Sequence, residues 1–348
     1  MDLLGQSLRW PIVGAPMAGG ASTPDLAAAG SDAGGLGFLA GGYLSAEALD
    51  AQIAELRRLT DAPFGVNLFL PQRTEVDRAA VDAYVDSLRA EAETLGVETV
   101  ARWDDDACPD KLEVLLSHPV PIVSFTFGCP SPETVRRLQR AGSRVVVTIT
   151  TPSEAKLAVA AGADALSAQG IEAGGHQGTF DDDVDPDTGW GLLALLAALR
   201  TEVAIPVIAA GGIMTGSDVA AVMIAGAVAA QLGTALLRCP ESGASDVHKS
   251  ALVDPTFTGT AITRAFSGRR ARGLVNDFMR RHRQAPSAYP QINNATRAIR
   301  RGSVARGDPH GTNLWAGQGF RLAQDRPAAE VVAAVGADFE TRWSSGGR

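Results

Sequence analysis

One type of helix-to-strand junction, marked by Ala-Gly, recurs along the chain. In four places an alanine-rich segment with a helical pattern reaches Ala-Gly and leads into an apolar stretch: "AAAGSDAGGLGFLA", "RAGSRVVVTIT", "VAAGADALSAQG" and "IAGAVAAQLGT". A glycine just after a helix adopts the left-handed conformation that closes it. Each joint therefore predicts a helix followed by a strand.

Eight short apolar segments alternate with the helical patterns and are predicted strands. They read "PIVGAPM", "GLGFLA", "FGVNLFL", "PIVSFTFG", "RVVVTIT", "DALSAQG", "PVIAAGG" and "AVAAQLGT". Fully apolar strands are typical of a parallel sheet covered on both faces, and eight strand–helix units close a TIM (β/α)8 barrel. An open doubly wound sheet is the alternative, but no GxGxxG follows the first strand. The α/β barrel is the preferred prediction.

The alternation stops after the eighth strand. Residues 241–307 contain no further strand–helix unit and are predicted to form a smaller lid subdomain that leans over the barrel mouth. Residues 1–240 are then the barrel, and residues 308–348 are a C-terminal segment that returns to it and ends in a helix.

The charge and the cysteines of the chain exclude some classes of protein. A formal net charge of -8 and a sequence pI of about 5.2 argue against binding nucleic acid or anionic membranes. The N-terminal residues hold no apolar run of signal-peptide or membrane-span length. Three separated cysteines, without a CxxC pair, suggest neither a disulfide framework nor a zinc cluster. These features predict a cytoplasmic protein.

The chemistry of a TIM barrel lies where its strands end and the following loops begin. That rule selects the residues at the predicted strand ends: Met17, Asn67, Thr126, Gln169, Gly211 and Gly233. Directly after the sixth strand, "IEAGGHQGTF" places His176 among glycines, which allow close backbone approach to a ligand. This context favours a functional His176 over the alternative, a loop histidine satisfied by a backbone carbonyl.

Two glycine-rich loops predict a phosphate site. Gly211 and Gly212 follow the seventh strand, and Gly233 and Thr234 follow the eighth, where barrels commonly bind phosphate with backbone amides. The alternative is that these glycines only make tight turns. The amides of Asn67 and Gln169 could hydrogen-bond the edge of a heteroaromatic ring, or else tie neighbouring loops together.

Seven segments in order resemble the motifs of one family. "PIVGAPMAGG", "FGVNLFLP", "VSFTFGCP", "AQGIEAGGHQG", "AAGGI", "QLGT" and "NLWAGQ" are similar to those of class I nitronate monooxygenases, formerly called 2-nitropropane dioxygenases. The resemblance covers nearly the whole chain. It implies a TIM barrel that binds FMN non-covalently and oxidises alkyl nitronates, such as propionate 3-nitronate, with O₂ after one electron passes to the flavin.

The resemblance also implies roles for individual residues. His176 matches the catalytic histidine, and its imidazole can take a proton from the carbon beside a nitro group or stabilise the anionic nitronate. The lid is then substrate-covering: Tyr289 resembles a pocket tyrosine, and Arg297 could pair with a substrate carboxylate. The implied cofactor contacts are Asn67, Gln169, Gly174, Gly211, Gly212, Gln231, Leu232, Gly233 and Thr234. Trp315 and Gln318 are expected near the pocket, although core packing is an equal alternative for Trp315.

Two departures from the family pattern concern the substrate. Thr126 stands where the motif often has His, and Asn293 replaces a second pocket tyrosine. A pocket with different polar groups can select another substrate. An FMN barrel that reduces enoyl thioesters or quinones with NAD(P)H is therefore one alternative, and a non-redox barrel that binds a phosphorylated ligand is another. The partners expected are a small-molecule substrate and O₂, with the oligomeric state left open.

Three further features receive structural interpretations. Asp183, Asp185 and Asp187 alternate as in a calcium loop, but Thr188 and Ala194 stand where that loop requires Gly and Glu.

"TRAFSGRRARGLVNDFMRRHR" predicts an amphipathic helix that docks on the barrel with its arginines outside or paired to acids. The other histidines form no HxxxH pair and are interpreted as surface or packing residues, so no metal is expected: His118, His248, His282 and His310.

Overall fold

The computed structural model describes residues 1–72, 75–183 and 189–346. The described strands are β1 (Asp2–Leu3), β2 (Gln6–Ser7), β3 (Ile12–Gly14), β4 (Gly37–Ala40), β5 (Phe64–Phe69), β6 (Ile122–Thr126), β7 (Arg144–Ile149), β8 (Ala165–Gln169), β9 (Gly175–His176), β10 (Val207–Ala210), β11 (Ala229–Leu232), β12 (Thr260–Thr263) and β13 (Ala271–Leu274). The described α-helices are α1 (Pro24–Asp32), α2 (Ala46–Leu59), α3 (Arg78–Ser87), α4 (Arg89–Leu95), α5 (Cys108–Ser117), α6 (Pro132–Arg140), α7 (Pro152–Ala161), α8 (Leu192–Glu202), α9 (Gly216–Ile224), α10 (Asp246–Ala251), α11 (Asp277–Arg281), α12 (Gln291–Ala305) and α13 (Ala328–Gly346).

Eight of these strands form one parallel sheet that curls into a barrel. Their order is β3-β11-β10-β8-β7-β6-β5-β4, and a parallel bridge between Val13 and Leu36 joins the two edges. In register, Ala210 of β10 lies between Gln169 of β8 and Gln231 of β11. The predicted TIM barrel is confirmed, and each of its eight strands lies within one of the predicted apolar segments.

The local signals at the helix ends are mostly those that the sequence predicts. Thr23, Ser45, Ser131, Thr151 and Thr215 each accept a backbone N–H with the side-chain oxygen at the start of a helix. Three of the four joint glycines, at 142, 162 and 226, have positive φ and lie within two residues of the end of a helix. The first joint differs, because its Ala-Gly lies inside α1 and Gly34 supplies the left-handed residue.

The C-terminal helix completes the barrel wall. Helix α13 packs against α9 and α1, so it fills the place of an eighth barrel helix, between the last and the first strand–helix units. Gly37, at the start of β4, shows how closely the wall packs. A Cβ there would lie 2.0 Å from the Ala27 carbonyl oxygen of α1. The C-terminal helix therefore covers the barrel wall between the last and the first units.

A second hydrophobic cluster lies in the lid. It joins Phe266, Phe278 and Ile292 to Val81 and Tyr84 of α3, which follows the third barrel strand. Residues of α3 therefore share one hydrophobic cluster with residues of the predicted lid. The predicted domain boundaries at residues 240 and 307 stay a prediction. Because α3 and α4 contact α12, we propose that residues 78–95 belong with the lid.

The arginine-rich segment is not the amphipathic helix that its composition predicts. It contains the strand β13 and the short helix α11, and Arg269, Arg270 and Arg272 are buried. Arg270 pairs with Asp182 at 3.3 Å, and Arg272 donates to the Ile171 carbonyl oxygen at 2.9 Å. In the described part of the chain, no helix combines the length and the apolar character needed to cross a bilayer.

Candidate functional site

A cavity of about 610 Å³ opens where the barrel strands end. Its wall brings together most of the predicted site residues: Met17, Asn67, Thr126, Gln169, Gly174, His176, Gly211, Gly212, Gln231, Gly233, Thr234, Asn293, Arg297 and Trp315. None of the described residues that line it is acidic, whereas Arg297, Arg300 and Arg301 contribute positive charge from α12. The cavity therefore suits an anionic ligand.

His176 is held by the barrel and the lid together. Its short strand β9 pairs with β13 of the lid, with His176 opposite Ala271, and its carbonyl oxygen accepts the Gln169 side chain at 3.0 Å. On the ring, Nε2 lies 2.8 Å from Ser267 Oγ. The ring also packs edge-on against Phe127 and Tyr289, at centroid distances of 5.6 Å and 5.7 Å, and lies tilted against Trp315 at 5.5 Å. These contacts fix its orientation in the cavity wall.

The surroundings of His176 keep its imidazole neutral. Burial, followed by the positive charges of Arg269 and Arg300, lowers the pKa of His176 from 6.5 to about 3. A histidine with a lowered pKa binds its proton less tightly, so the ring is neutral at physiological pH. It is thus in the protonation state of a base.

The side-chain amides of Asn67 and Gln169 hydrogen-bond neighbouring strands and loops, and both residues also line the cavity. Asn67 Nδ2 donates to Ser124 Oγ at 2.9 Å and to Thr126 Oγ1 at 3.0 Å. Besides holding the His176 carbonyl, Gln169 accepts the Gly178 N–H at 2.7 Å. Thr126, one of the departures from the family pattern, therefore orients an amide that lines the cavity.

The predicted phosphate loops border the cavity from the seventh and eighth barrel strands. Gly211 and Gly212 have φ values of +120° and +71°, which only glycine adopts readily. Thr234 begins a short 3₁₀ turn after Gly233, and its hydroxyl accepts the Gly317 N–H at 2.9 Å. Leu232 differs from the others, because its side chain is fully buried in the core and the residue does not line the cavity.

Gly174 allows the C-terminal segment to close on the site. A Cβ at this position would lie 2.5 Å from the Gly317 nitrogen and 2.6 Å from the Ala316 carbonyl carbon. These are backbone atoms and cannot move aside cheaply. Gln318 N–H continues the contact by donating to the Glu172 carbonyl oxygen at 3.1 Å. The "NLWAGQ" segment is therefore part of the site.

Replacing Gly174 with Ala is expected to displace this segment and lower the free energy of unfolding by about 1–3 kcal/mol, the range for overpacked positions. Thermal unfolding of purified protein measures the change. Gly259→Ala is the matched control, because a Cβ at Gly259 would meet no atom within 4 Å. Equal stability of the two variants would contradict the close approach at Gly174.

Arg300, Tyr43 and His248 are among the cavity-wall residues that were not predicted. Arg300 donates to the Asn293 carbonyl oxygen at 2.8 Å, to Asn293 Oδ1 at 2.9 Å and to Asn313 Oδ1 at 3.2 Å, and burial lowers its pKa to about 10. Tyr43 meets Tyr289 at 3.4 Å between hydroxyls. His248, interpreted above as a surface or packing residue, lines the cavity and contacts the Trp315 carbonyl oxygen through Nε2 at 3.0 Å.

Tyr43 is held in an unusual backbone conformation by a buried ion pair. Its φ of +69° lies in the left-handed region, which is costly for a residue with a side chain. The Tyr43 N–H donates to Asp106 Oδ1 at 2.7 Å, and Lys111 Nζ donates to Asp106 Oδ2 at 2.8 Å. Lys111 is fully buried. The pair therefore fixes the position of Tyr43 over the cavity, where Arg297 lies 5.9 Å from its ring centroid.

The described residues show no cluster of three His, Cys, Asp or Glu side chains able to hold a metal ion. Of the alternating acids considered as a calcium loop, Asp185 and Asp187 lie outside the described residues. Their neighbour Asp182 pairs with Arg264 at 2.9 Å, which ties this loop to the lid.

A sequence profile described as nitronate monooxygenase matches residues 3–338. The chain belongs to the nitronate monooxygenase family. The resemblance predicted from the motifs is confirmed, and the protein is an enzyme of a family of flavin-dependent oxidoreductases.

Individual proteins support the same assignment. Nitronate monooxygenase from Pseudomonas aeruginosa is 44% identical over 335 residues, which cover 93% of this chain and 95% of that protein. The structure of nitroalkane oxidase from Streptomyces ansochromogenes is 51% identical with a TM-score of 0.95, and covers 97% of this chain and 98% of that one. FabK from Thermotoga maritima is more distant, at 30% identity and a TM-score of 0.76 over 97% and 95% of the two chains.

Proposed function

We propose that the protein oxidises alkyl nitronates with O₂, using FMN held in the cavity at the barrel mouth. The observation that carries this proposal is the neutral imidazole of His176 at a cavity bordered by glycine loops and arginines. The 51% identity to a nitroalkane oxidase supports substrates that carry a nitro group or its anion. The non-redox alternative is set aside, because the family consists of flavin-dependent enzymes.

The residues around the cavity fit a flavin mononucleotide. A volume of about 610 Å³ is in the range of small-molecule sites. We propose that Gly211, Gly212 and residues 231–234 hold the phosphate, with Leu232 acting through its backbone. Asn67 and Gln169 would contact the ring, and Gly174 would lie beside it. When bound, FMN supplies the electron acceptor that the reaction requires.

His176 and the lid would act on the substrate itself. The neutral ring of His176 can take the proton from the carbon beside the nitro group of a nitroalkane, and the protonated ring then stabilises the resulting nitronate anion. Tyr289 packs against that ring at 5.7 Å and would close the pocket. Arg297 would pair with a carboxylate on the substrate, such as that of propionate 3-nitronate.

The likeness to FabK supports a second candidate, FMN-dependent reduction of enoyl thioesters or quinones with NAD(P)H. The C-terminal "NLWAGQ" segment favours the first candidate, because it resembles a nitronate monooxygenase motif and its Trp315 ring packs 5.5 Å from His176. An enoyl reductase domain of 13% identity shares the fold alone.

A substrate screen under air separates the two candidates. The purified protein is expected to release FMN on denaturation, to consume O₂ when given nitronates, and to oxidise NADH and NADPH slowly or not at all. Oxygen electrode traces and pyridine-nucleotide absorbance measure the two activities. Rapid NAD(P)H oxidation without nitronate-dependent oxygen uptake would support the reductase instead.

Because the pKa of His176 is lowered, we expect kcat/KM for a neutral nitroalkane to stay constant as the pH falls through the usual histidine range. Since the pKa of the ring is about 3, the base stays neutral far below the usual histidine range. The kcat/KM value for a neutral nitroalkane reports free-enzyme groups, and we expect no inflection near 6.5 in it. A decline of kcat/KM as the pH falls through that value would show that His176 titrates normally.

A further inference from the structure

The Ser267 hydroxyl lies between the His176 ring and a buried backbone carbonyl of the lid. Its Oγ is 2.8 Å from His176 Nε2 and 3.1 Å from the Arg269 carbonyl oxygen, and the Arg269 N–H points to the same Oγ at 3.3 Å. Ser267 is 1% exposed, so these groups exchange no bonds with bulk water. The hydroxyl proton must therefore go to one of two acceptors.

The two possible arrangements of the Ser267 hydroxyl proton differ in the number of hydrogen bonds that they form. If Ser267 donates to the Arg269 carbonyl, Nε2 of His176 must carry a proton and donate to Ser267, and all three contacts are hydrogen bonds. If Ser267 donates to an unprotonated Nε2, the Arg269 carbonyl loses the Ser267 hydroxyl as its donor. Buried polar groups without a partner are costly, which favours the first arrangement.

The Arg269 carbonyl is fixed in place by its own side chain. The guanidinium donates to the carbonyl oxygens of Gln177 and Thr179, which follow His176 in the same loop, and to Gln72 Oε1 at 2.7 Å. It also lies 4.2 Å from the ring centroid of Phe127, which packs against His176. These contacts join the loop of His176 to the lid turn that holds Ser267.

The other ring nitrogen is left for the substrate. In the described part of the chain, Nδ1 of His176 has no hydrogen-bond partner. It is not one of the buried side-chain nitrogen and oxygen atoms that lack a partner. It is therefore accessible, and His176 lines the cavity.

We propose that Ser267 is a positioning residue that holds His176 in the tautomer protonated on Nε2, so that Nδ1 receives the substrate proton. This rests on the proposed function of His176 as the base. In the step, the C–H bond beside the nitro group breaks and its electron pair forms the C=N bond of the nitronate. The N=O π pair moves onto a nitro oxygen, and the proton goes to Nδ1. No electron leaves the substrate until the nitronate has formed.

Nitrogen NMR of the flavin-loaded enzyme tests the tautomer directly. Two-bond ¹H–¹⁵N spectra of protein labelled at its histidines distinguish a protonated from an unprotonated ring nitrogen, and His176→Asn identifies the His176 signals. We expect a protonated Nε2 and an unprotonated Nδ1 in the unmodified enzyme. The reverse assignment would overturn the proposal, whatever the behaviour of any variant.

Removing the hydroxyl tests its consequence for turnover. Ser267→Ala is expected to populate the other tautomer and to lower kcat/KM for a neutral nitroalkane about 10- to 100-fold, as loss of a partner that orients an imidazole does elsewhere. Turnover of the preformed nitronate should fall much less, since it needs no proton removal. Ser267→Thr keeps a hydroxyl and should restore both tautomer and turnover.

Ser143→Ala is the matched control. Ser143 is equally buried and donates to the Val120 carbonyl oxygen at 2.7 Å, but it lies at the opposite end of the barrel. Loss of nitroalkane turnover in both variants, or an unchanged tautomer and turnover in Ser267→Ala, would overturn the proposal. If the unmodified enzyme oxidises neither nitroalkane nor nitronate, the proposed function fails, and the NMR assignment still decides the tautomer.

Discussion

Replacing His176 with Asn is expected to lower kcat/KM for a neutral nitroalkane by about 10²- to 10⁴-fold, the contribution of a positioned general base. Asparagine keeps a polar side chain in the wall but cannot accept the proton. FMN should remain bound, because the proposed cofactor contacts lie on other residues. Steady-state oxygen uptake and the visible flavin spectrum measure the two properties.

Two comparisons test whether the fall in kcat/KM of His176→Asn is caused by loss of the base that removes the substrate proton. The same variant should oxidise a preformed nitronate with a smaller loss, because that substrate arrives already deprotonated. His282→Asn removes another buried imidazole, one that pairs with Glu91 in the lid at 2.9 Å and lies outside the cavity. It should retain nitroalkane turnover. Undiminished turnover in His176→Asn would remove His176 from the role of base.

Replacing Lys111 with Met is expected to lower the free energy of unfolding by about 3–5 kcal/mol, the usual cost of leaving a buried charge without its partner. Burial raises the pKa of the Asp106 carboxyl, and the Lys111 ammonium opposes that shift. Without Lys111 the pKa rises further, so stability is lost as the pH rises above the unfolded pKa of Asp106. Acid should therefore reduce the difference from the unmodified protein. Guanidinium unfolding at several pH values measures it.

Two further variants separate the buried pair from ion pairs in general. Adding Asp106→Asn to Lys111→Met removes the unpaired charge while keeping an acceptor for the Tyr43 N–H, and should recover most of the stability. Arg89→Met breaks the exposed pair between Arg89 and Asp86 and should cost about 0–1 kcal/mol. An equally small cost for Lys111→Met would contradict the role of the pair.

The barrel could be predicted from the sequence because its signals are local. Every barrel strand is a short apolar segment, and most of the helices between them begin with a capping side chain or end at a glycine. The rule that loops after the strands carry the site then placed Asn67, Gln169 and His176 around one mouth. The first Ala-Gly joint was misread because Gly30 packs inside α1, which the local pattern does not reveal.

The contacts that complete the site depend on long-range pairing and were not predicted. Ser267 reaches His176 only because β13 pairs with β9 across 91 residues of chain. Arg269 and Arg272 are buried against loop carbonyls and Arg270 against Asp182, whereas the composition of the segment predicted one amphipathic helix. Tyr43 depends on Asp106 and Lys111, which lie more than 60 residues away.

One missed residue, Arg300, did have a sequence signal. Asn293, Arg297, Arg300 and Arg301 recur at spacings of three and four residues, which places them on one face of a helix. The sequence analysis named Asn293 and Arg297, which were compared with the family pattern, and left out Arg300. Reading the helical period through "NNATRAIRR" would have found Arg300 as well.

Anaerobic mixing in a stopped-flow instrument tests the central claim most directly. The flavin-loaded enzyme is mixed with an alkyl nitronate in one experiment and with NADH or NADPH in another, while the absorbance of oxidised flavin is followed. The proposed function predicts rapid loss of that absorbance with the nitronate and slow or no loss with the nicotinamides. Rapid loss with a nicotinamide and none with the nitronate would contradict it.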